Sequence, residues 1–422
     1  MIESFTKYFL EGAKPKSEWL CGLECELFGY DAMRFERLNH NQIADVLKAF
    51  SSDLHFEGDV ITEAKLNDGA RLTLEPGGQI ELSNAPRKTL KEIENDYEKY
   101  LSRLGDIAEE RNFVFLAIGF DPLRKLEEQN WYPKPRYDVM RPYLLSRGKR
   151  AWDMMTRTSG IQVNLDYESE DDLKKKFIVG NALAPIVSAM FANSPFMEGK
   201  LSGYKSTRLA VWLQTDDDRS GISPIFFNDD FTIEDFVSYT LDVPMIFTRR
   251  NGDYSGKFAG VPFRDYLPQS SFEDWTDHLT TIFTEARLKQ YIELRSMDCC
   301  NARMMMAAQA LWKGLFYDNE TLDEALRIAP RLSETEMRTL QEKVAREGLN
   351  AKHLQVDVLN LAKEVIRLAS TGLKQTAPDE EKYLDILKQQ VIEDEVCPAD
   401  ILLREWNGSI ERVIERCAIT KL

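Results

Sequence analysis

The stretch that decides the fold is Arg71-Leu72-Thr73-Leu74-Glu75-Pro76-Gly77-Gly78-Gln79-Ile80-Glu81-Leu82-Ser83. Its Pro-Gly-Gly centre predicts a tight turn, and the alternating residues on both sides predict the strands of a β-hairpin. Successive side chains of a strand point to opposite faces, so the leucines and Ile80 share an apolar face, while Glu75 and Glu81 share a polar face. An ordinary surface hairpin with solvated carboxylates is an alternative interpretation of this stretch by itself.

Composition and charge limit the possible partners. The chain has 422 residues, 43% of them hydrophobic and 29% charged, and its formal net charge is −16. Nucleic acids and anionic membranes need a basic face, so this charge argues against both as main partners. No apolar stretch is long enough to span a membrane, and residues 1–10 lack the pattern of a signal peptide. We therefore expect a cytoplasmic protein, as either a monomer or a homodimer.

The six cysteines and four histidines follow no metal-binding pattern. No zinc-ribbon spacing occurs and the histidines are scattered, so we expect no histidine-based metal site or catalytic triad. A reducing cytoplasm predicts free thiols. Cys299 and Cys300 could be sensitive to oxidation, but buried, inert thiols are the favoured interpretation.

Three further segments alternate in the same way as the hairpin. They are residues 18–31, 158–167 and 291–296, and each has an aliphatic face and a polar face. The polar faces of these segments and of the hairpin supply Glu24, Glu26, Glu75, Glu81, Gln162, Asn164, Glu293 and Arg295. A solvent-facing sheet needs no function, but clustered carboxylates without lysines are costly unless cations neutralise them. Oxygen ligands suit Mg²⁺ or Mn²⁺ and arginines suit phosphate, so the pattern predicts a metal–nucleotide site on a sheet.

The remaining segments predict helices around this sheet, and hence an α+β fold. Helices are expected over residues 86–111, 134–147, 169–193, 232–240 and 272–286, and from residue 301 onward, with a strand over 112–120. The patterns favour a polar loop over 48–59, a strand and then a polar loop over 203–221, and a flexible segment over 243–267. With no repeat or flexible linker, we expect one domain over 1–422, with a sheet core at 1–300 and a helical part at 301–422. The P-loop sequence GxxxxGK[ST] does not occur.

Eight collinear motifs resemble those of glutamate–cysteine ligases of the plant and proteobacterial type, in the glutamine-synthetase-like superfamily. The motifs are GLECELFGY, LEPGGQIELS, MTRTSGIQVNLDY, FANSPFMEGK, the stretch 208–221, DVPMIF, GVPFRDYL and HLTTIFTEARLKQYIELRSMD. The resemblance runs from about Phe9 to Cys300, and the C-terminal helices fit it more loosely.

The resemblance implies a fold and a reaction. The fold is an antiparallel sheet curved into a funnel and surrounded by helices. In the reaction, ATP phosphorylates the γ-carboxylate of glutamate, and the amine of cysteine attacks the acyl phosphate to give γ-glutamylcysteine, the first step towards glutathione. The family also implies two or three Mg²⁺ ions, with Mn²⁺ possible in their place.

The resemblance further implies which residues bind metal. The matching carboxylates are Glu24, Glu26, Glu75, Glu81 and Glu293. Gln162 and Asn164 match a motif that lines the nucleotide and metal side. Within the hairpin, we expect Glu81 to be a direct ligand and Glu75 to meet the substrate or a second metal.

The arginines receive roles in the same way. Arg136 and Arg208 match arginines that hold glutamate or the transferred phosphoryl group, and Arg295 matches the arginine that reaches the phosphates. Arg219 lies at a loop position, where a structural ion pair is an equal alternative to substrate binding. Trp212 is expected to pack rather than to contact substrate.

Departures from the family pattern leave the acceptor amine open. Thr284 stands where proline is usual, Ser296 where glycine is frequent, and Ile246 where an aromatic residue is common. A γ-glutamyl ligase for another amine, a non-catalytic glutamate or nucleotide sensor, and an acidic structural scaffold therefore remain alternatives to a glutamate–cysteine ligase.

Overall fold

A computed structural model describes residues 2–228 and 230–419. Its strands are β1 (Cys21–Asp31), β2 (Asp53–Glu57), β3 (Val60–Lys65), β4 (Arg71–Leu74), β5 (Ile80–Ser83), β6 (Phe113–Leu116), β7 (Gly160–Leu165), β8 (Phe196–Met197), β9 (Lys200–Leu201), β10 (Ser220–Gly221), β11 (Thr248–Arg250), β12 (Asp253–Ser255), β13 (Phe283–Thr284), β14 (Ala286–Leu288), β15 (Ile292–Asp298), β16 (Lys352–His353) and β17 (Val356–Asp357).

The α-helices surround these strands and make up most of the C-terminal part. They are α1 (Ile2–Leu10), α2 (His40–Phe50), α3 (Leu90–Arg111), α4 (Pro135–Arg147), α5 (Ala151–Arg157), α6 (Glu170–Ala182), α7 (Ala184–Met190), α8 (Thr207–Trp212), α9 (Ile233–Asp242), α10 (Phe263–Tyr266), α11 (Phe272–Leu279), α12 (Ala302–Phe316), α13 (Asn319–Ile328), α14 (Glu334–Glu347), α15 (Val358–Thr376), α16 (Asp385–Leu387), α17 (Pro398–Glu405) and α18 (Ile410–Cys417).

Nine of the described strands form one antiparallel sheet at the centre of the molecule. Eight of them pair in the order β14-β15-β7-β1-β5-β4-β3-β2, and β6 pairs with the end of β1 that lies beyond β5 and β7. The longest of them, β1, lies in the middle, so each of its polar side chains has neighbours on both sides. The predicted α+β class, with an antiparallel sheet and a helical C-terminal part, is confirmed.

The hairpin predicted at 71–83 is formed by β4 and β5, with Leu72 opposite Leu82 and Thr73 opposite Glu81. Its leucines, together with those of β1, β7 and β15, form a fully buried face of the sheet. The turn is buried as well, since Pro76, Gly77 and Gly78 all lie inside the protein. The surface-hairpin alternative is therefore wrong, and the polar face borders an internal cavity instead of bulk solvent.

Helices cover the apolar face. α12 contacts β1 and β7, while α6 and α7 contact β14 and β15 at the other end of the sheet. α15 packs on α12 so closely that a Cβ on Gly314 would overlap Ala369 O, and one on Gly372 would overlap Gly314 O. Glycine at these two positions therefore lets the backbones of the two helices touch.

Two strand and helix predictions are wrong. Residues 48–59 are not a loop, because α2 ends at Phe50 and β2 follows as an exposed edge strand whose polar residues hide its pattern. The 203–221 segment starts with α8 and not with a strand. The Ser206 side chain caps α8 by accepting from Leu209 N, and the apolar run after it fits a buried helix as well as a strand.

Other boundaries also differ from the predictions. The helix expected over 169–193 breaks at Leu183 into α6 and α7, just before Pro185. The helix expected over 272–286 ends at Leu279, and β13 and β14 follow. The segment 243–267 contains the hairpin β11–β12 and the short helix α10, so it is not only loop.

A large hydrophobic core extends from Phe5 to Ala399, and a smaller cluster joins Phe28 of β1 to Leu402 and Val413 of the last helices. The predicted division at residue 300 stays a prediction. All six cysteines lie in the described part of the chain as buried free thiols, as expected, and burial raises the pKa of Cys21 to about 12. Within the described residues, no helix combines the length and the apolar character needed to cross a membrane.

Candidate active site

A cavity of about 730 Å³ lies over the polar face of the sheet. The predicted site residues that line it are Glu24, Glu26, Glu75, Glu81, Arg136, Gln162, Asn164, Arg208 and Arg295. Glu293 and Arg219 are completely buried and lie outside this lining. The fold thus gathers side chains from four strands, two helices and the β4–β5 turn into one space, although Glu24 and Arg295 are 271 positions apart in the sequence.

Strand register explains how the acidic residues meet. Glu26 on β1 lies directly opposite Glu81 on β5, and Glu24 lies opposite Gln162 on β7. Amides from β7 hold these two carboxylates in place. Gln162 Nε2 donates to Glu26 Oε1 over 2.8 Å, and Asn164 Nδ2 donates to Glu24 Oε1 over 2.7 Å. The two carboxylates of β1 therefore point into the cavity in fixed orientations.

The acidic cluster is electrostatically unfavourable on its own. Burial together with the neighbouring Glu81 raises the pKa of Glu24 and that of Glu26 to about 7. Burial and the adjacent Glu75 raise the pKa of Glu81 to about 7, and the pKa of Glu75 is raised by burial and by Glu26. Glu75 and Glu81 lie close enough together that the charge of Glu75 contributes to the raised pKa of Glu81. A divalent cation would remove this repulsion.

Glu293 differs from the other acids because it is already neutralised. Its carboxylate forms ion pairs with Arg287, Lys289 and Arg295, with N–O distances of 2.5, 2.7 and 2.9 Å. Burial alone would raise the pKa of Glu293, but these three cations hold it well below its ordinary value. In this arrangement Glu293 anchors a row of cations at the edge of the cavity, and it does not face the cavity as a free carboxylate.

Two arginines stand next to the acidic cluster. Arg295 Nη1 donates to Gln162 Oε1 over 3.1 Å, and Arg208 Nη2 donates to the backbone oxygen of Arg295 over 3.0 Å. A side chain at Gly160 would collide with the Arg208 guanidinium, so glycine leaves room for it. Both arginines lower the pKa of Glu26, which burial raises, and they therefore lie within electrostatic reach of it.

Several polar atoms that point towards this region lack a partner within the described residues. They are Arg208 Nε, Asn164 Oδ1 and Trp212 Nε1, each with almost no exposed surface. Buried donors and acceptors without partners cost free energy, which a bound polar ligand can recover. Trp212 lines the cavity, so the structure does not support the prediction that it only packs.

A second cationic group lies beside the acidic hairpin. Arg136 stacks over the ring of Phe247, with 5.6 Å from its guanidinium carbon to the ring centre, and Lys134 lies over Tyr137 at 5.8 Å. Burial and the neighbouring Arg136 lower the pKa of Lys134. Cations held by aromatic rings next to carboxylates are suited to binding an anionic substrate.

Arg219 joins buried segments of the chain to one another. Its Nε bonds to Asp216 Oδ2 over 2.7 Å, and its other nitrogens bond to Tyr143 Oη and to the backbone oxygens of Thr281 and Pro244. Neither Arg219 nor Asp216 has exposed side-chain surface. The structure therefore favours the ion-pair alternative for Arg219 and not substrate binding.

Sequence reasoning missed other cations of the site: Lys134, Arg287 and Lys289, all of which line the cavity. Arg287 and Lys289 alternate around Leu288, which is a strand signal, but this segment is too short to predict a strand and lies between the predicted helix over 272–286 and the predicted strand over 291–296. Thr284, Ser296 and Ile246, the departures from the family pattern, are all buried outside the cavity lining. They therefore give no reason to doubt the acceptor.

The site fits divalent metal ions in its donor chemistry. Four glutamate carboxylates line one part of the cavity, and the repulsion among them is the kind that Mg²⁺ or Mn²⁺ relieves. As they stand, no three His, Cys, Asp or Glu side chains among the described residues are close enough to hold one ion. Side-chain rotation of the cavity glutamates would have to bring them together around a bound ion.

A central antiparallel sheet whose polar face bears clustered carboxylates and arginines defines the glutamine-synthetase-like class. Comparison with solved structures supports this class. A glutamate–cysteine ligase from Francisella tularensis in complex with AMP matches with a TM-score of 0.59 at 12% identity, over 94% of this chain and 87% of that chain. The ligase PafA in complex with the ubiquitin-like protein Pup matches with a TM-score of 0.53 at 11% identity, over 97% and 75%.

The chain belongs to glutamate–cysteine ligase family 2, whose sequence profile matches residues 20–416. Chloroplastic glutamate–cysteine ligases are among its relatives. That of Brassica juncea is 38% identical over 96% of this chain and 81% of its own length. Ligase A of Oryza sativa subsp. indica is 39% identical over 98% and 87%, and the Arabidopsis thaliana protein is 38% identical over 98% and 82%. The predicted family is confirmed, and with it an ATP-dependent ligase.

Proposed function

We propose that this chain joins the γ-carboxylate of L-glutamate to the amine of L-cysteine at the expense of ATP, by way of a γ-glutamyl phosphate. One observation carries the proposal: four glutamates and two arginines face each other across a single cavity in a protein of this family. Bringing ATP and glutamate together means bringing two anions together, and such a site provides the charges for it.

The reaction has two steps. An oxygen of the glutamate γ-carboxylate attacks the γ-phosphorus of ATP, the bond to ADP breaks, and an acyl phosphate forms. The amine nitrogen of cysteine then attacks the acyl carbon, the carbon–oxygen bond to phosphate breaks, and the amine loses a proton. Arg208 and Arg295 are suited to hold the transferred phosphoryl group, because they lie beside the acidic cluster and Arg208 has an unused nitrogen.

The cavity glutamates would hold Mg²⁺ or Mn²⁺, and the bound ion would neutralise the negative charge that develops during phosphoryl transfer. In this proposal the metal ligands are Glu24, Glu26, Glu75 and Glu81, and the expected number of bound ions is two or three. Glu293 contributes indirectly, because its three ion pairs hold Arg295, Arg287 and Lys289 at the edge of the cavity. Gln162 and Asn164 orient the carboxylates of β1.

The cations beside the hairpin suit the second anion. Arg136 and Lys134 lie near Glu75 and would bind a carboxylate of glutamate, while Lys289 and Arg287 at the opposite edge would face the nucleotide phosphates. Oligomeric state and the cytoplasmic location stay predictions. The buried free thiols are compatible with a reducing compartment.

An acceptor panel tests the proposal. Purified protein receives glutamate, ATP and Mg²⁺ with cysteine or another amino acid, and ADP release is measured. We expect cysteine to give the fastest release. If another amine exceeded cysteine while cysteine matched the control without acceptor, the chain would be a γ-glutamyl ligase of different specificity. If no amine gave glutamate-dependent ADP, the chain would be a non-catalytic member of the family.

A further inference from the structure

The turn that carries Glu75 is fixed more completely than a hairpin turn usually is. Each backbone oxygen from Leu74 to Gly77 accepts a hydrogen bond, and three of the four donors come from distant segments of the chain. The donor–acceptor pairs, all 2.8 Å apart, are Tyr137 Oη to Leu74 O, Gly78 N to Glu75 O, Tyr132 N to Pro76 O, and Arg37 Nη2 to Gly77 O. Loop carbonyls of this kind are commonly solvated.

Arg37 is the charged donor of this set, and it is only 5% exposed. Its Nη1 forms an ion pair with Asp121 Oδ2 at 3.2 Å and donates to Gln129 Oε1 at the same distance. Its guanidinium carbon lies 4.7 Å from the centre of the Phe28 ring. Asp121 in turn accepts from Tyr30 Oη over 2.6 Å, so both charges are bonded on several sides.

Stability alone is a weak explanation for this network. Burying an arginine and an aspartate costs desolvation free energy, and apolar residues of similar volume are often as stabilising or more so. The planar guanidinium instead supplies geometry, because one nitrogen faces Asp121 while the other faces Gly77 O. Gly77 cannot carry a side chain, since a Cβ there would collide with the backbone of Thr156. The turn is therefore held between Arg37 and the end of α5.

We propose that Arg37 is a positioning residue for Glu75. The proposal rests on the proposed function, because it assumes that Glu75 and Glu81 hold metal. Arg37 does not line the cavity and cannot touch a substrate there. It acts two residues away, by fixing the turn and with it the position of Glu75 in the cavity lining. Without Arg37 the turn has a buried, unpaired carbonyl, and Glu75 loses its fixed position.

The test measures binding and not only activity. Calorimetry gives the affinity of wild type, Arg37→Lys and Arg37→Met for Mg²⁺ with a non-hydrolysable ATP analogue, and thermal unfolding gives their stability. Arg37→Lys keeps a charge opposite Asp121 but has no second nitrogen for Gly77 O, so it should fold and bind roughly tenfold more weakly. Arg37→Met should lose at least as much affinity. The KM for cysteine should stay within about twofold, since the metal site and not the acceptor site changes.

Lys313→Met is the matched control. Lys313 lies in α12, is 5% exposed and forms a buried ion pair with Glu380 at 2.6 Å, away from the turn. We expect it to lower the unfolding temperature as Arg37→Met does while leaving metal–nucleotide affinity unchanged. If Lys313→Met weakened binding equally, or if folded Arg37→Lys bound like wild type, the inference would be overturned. Failure of wild type itself to bind Mg²⁺ and nucleotide would instead refute the proposed function.

Discussion

Glu81 decides the electrostatics of the cavity at the scale of single residues. It lies opposite Glu26 across the β1–β5 pair, and its own pKa is raised by burial and by Glu75. After burial, it is also the first neighbour to raise the pKa of both β1 carboxylates. Such a cluster of carboxylates destabilises the protein when no cation is bound, and bound cations remove the repulsion.

Glu81→Gln should therefore separate activity from stability. Losing one ligand should lower glutamate-dependent turnover at least about a hundredfold. Above pH 7 the metal-free variant should be more stable than wild type, by on the order of 1–3 kcal/mol, because one of the repelling charges is gone. Turnover assays and urea unfolding in a chelator measure the two effects.

Glu63→Gln provides the control for this prediction. Glu63 lies on β3, directly opposite Thr73 of β4. Its side chain therefore belongs to the polar face of the sheet, but it does not line the cavity. The substitution should leave turnover within a few-fold of wild type. A fully active Glu81→Gln variant would contradict the role of Glu81 as a ligand.

Arg219→Met tests the structural position of Arg219. Removing the guanidinium leaves the buried Asp216 with only the longer ion pair to Arg147, at 3.4 Å, so the free energy of unfolding should fall by about 3 kcal/mol. Below its unfolding temperature, the KM values for glutamate and ATP should change little. Arg264→Met, which removes an exposed ion pair with Asp242, should cost no more than about 1 kcal/mol. A stable Arg219→Met variant with a greatly raised KM would instead indicate substrate binding.

At the scale of elements, the sequence predicts those strands whose apolar and polar side chains alternate. β1, β7, β15 and the hairpin each alternate over several residues, and the same alternation assigned their carboxylates and amides to one face. The acidic part of the site followed directly, because side chains on one face of neighbouring strands must meet.

The wrong predictions concern elements whose local sequence pattern is ambiguous or whose conformation depends on contacts with distant residues. The run after Ser206 fits a strand or a buried helix, so Arg208 was assigned to a strand although it lies in the first turn of α8. β2 is a five-residue edge strand with largely exposed side chains, and its two apolar residues, Leu54 and Phe56, are too few to distinguish it from a loop. The hydrogen bond from Arg37 to Gly77 O joins residues 40 positions apart, and no local pattern reports it. The ion pairs of Glu293 are local, but they depend on the pairing of β14 with β15, and β14 was not predicted.

The contact between α12 and α15 gives a prediction at this scale. Gly314→Ala puts a methyl group against the backbone of Ala369 in a helix pair that cannot separate without opening the core. We expect a loss of about 1–3 kcal/mol in urea unfolding, although alanine favours an isolated helix over glycine. Gly180→Ala is the control, because its nearest neighbour would be the end of the Leu294 side chain, which can rotate, so its loss should be smaller.

At the scale of the whole molecule, the net charge of −16 contrasts with a reaction whose substrates are anions. The cations of the site are local: Arg208, Arg295, Lys289 and Arg136 surround the cavity inside an acidic body. Metal ions and substrates should therefore bind as a set, since each removes charge that the others would meet.

The stabilisation of the folded protein by nucleotide should therefore depend on whether the metal ion is present. Mg²⁺ with ADP at about a hundred times the dissociation constant should stabilise the protein by about 2.7 kcal/mol and raise its unfolding temperature. ADP with a chelator should have little effect, because the phosphates would then face uncompensated carboxylates. Thermal scans with each ligand alone and with both together measure the coupling, and equal shifts with and without the metal would contradict it.

The most direct test of the account follows an oxygen atom. Glutamate labelled with ¹⁸O in its γ-carboxylate is incubated with the protein, ATP, Mg²⁺ and cysteine, and the inorganic phosphate is analysed by mass spectrometry. If a γ-glutamyl phosphate forms in this cavity, one labelled oxygen passes from glutamate to each phosphate released, and Glu81→Gln lowers the rate of labelled phosphate release at least about a hundredfold. Phosphate released during turnover without any label would contradict the central claim.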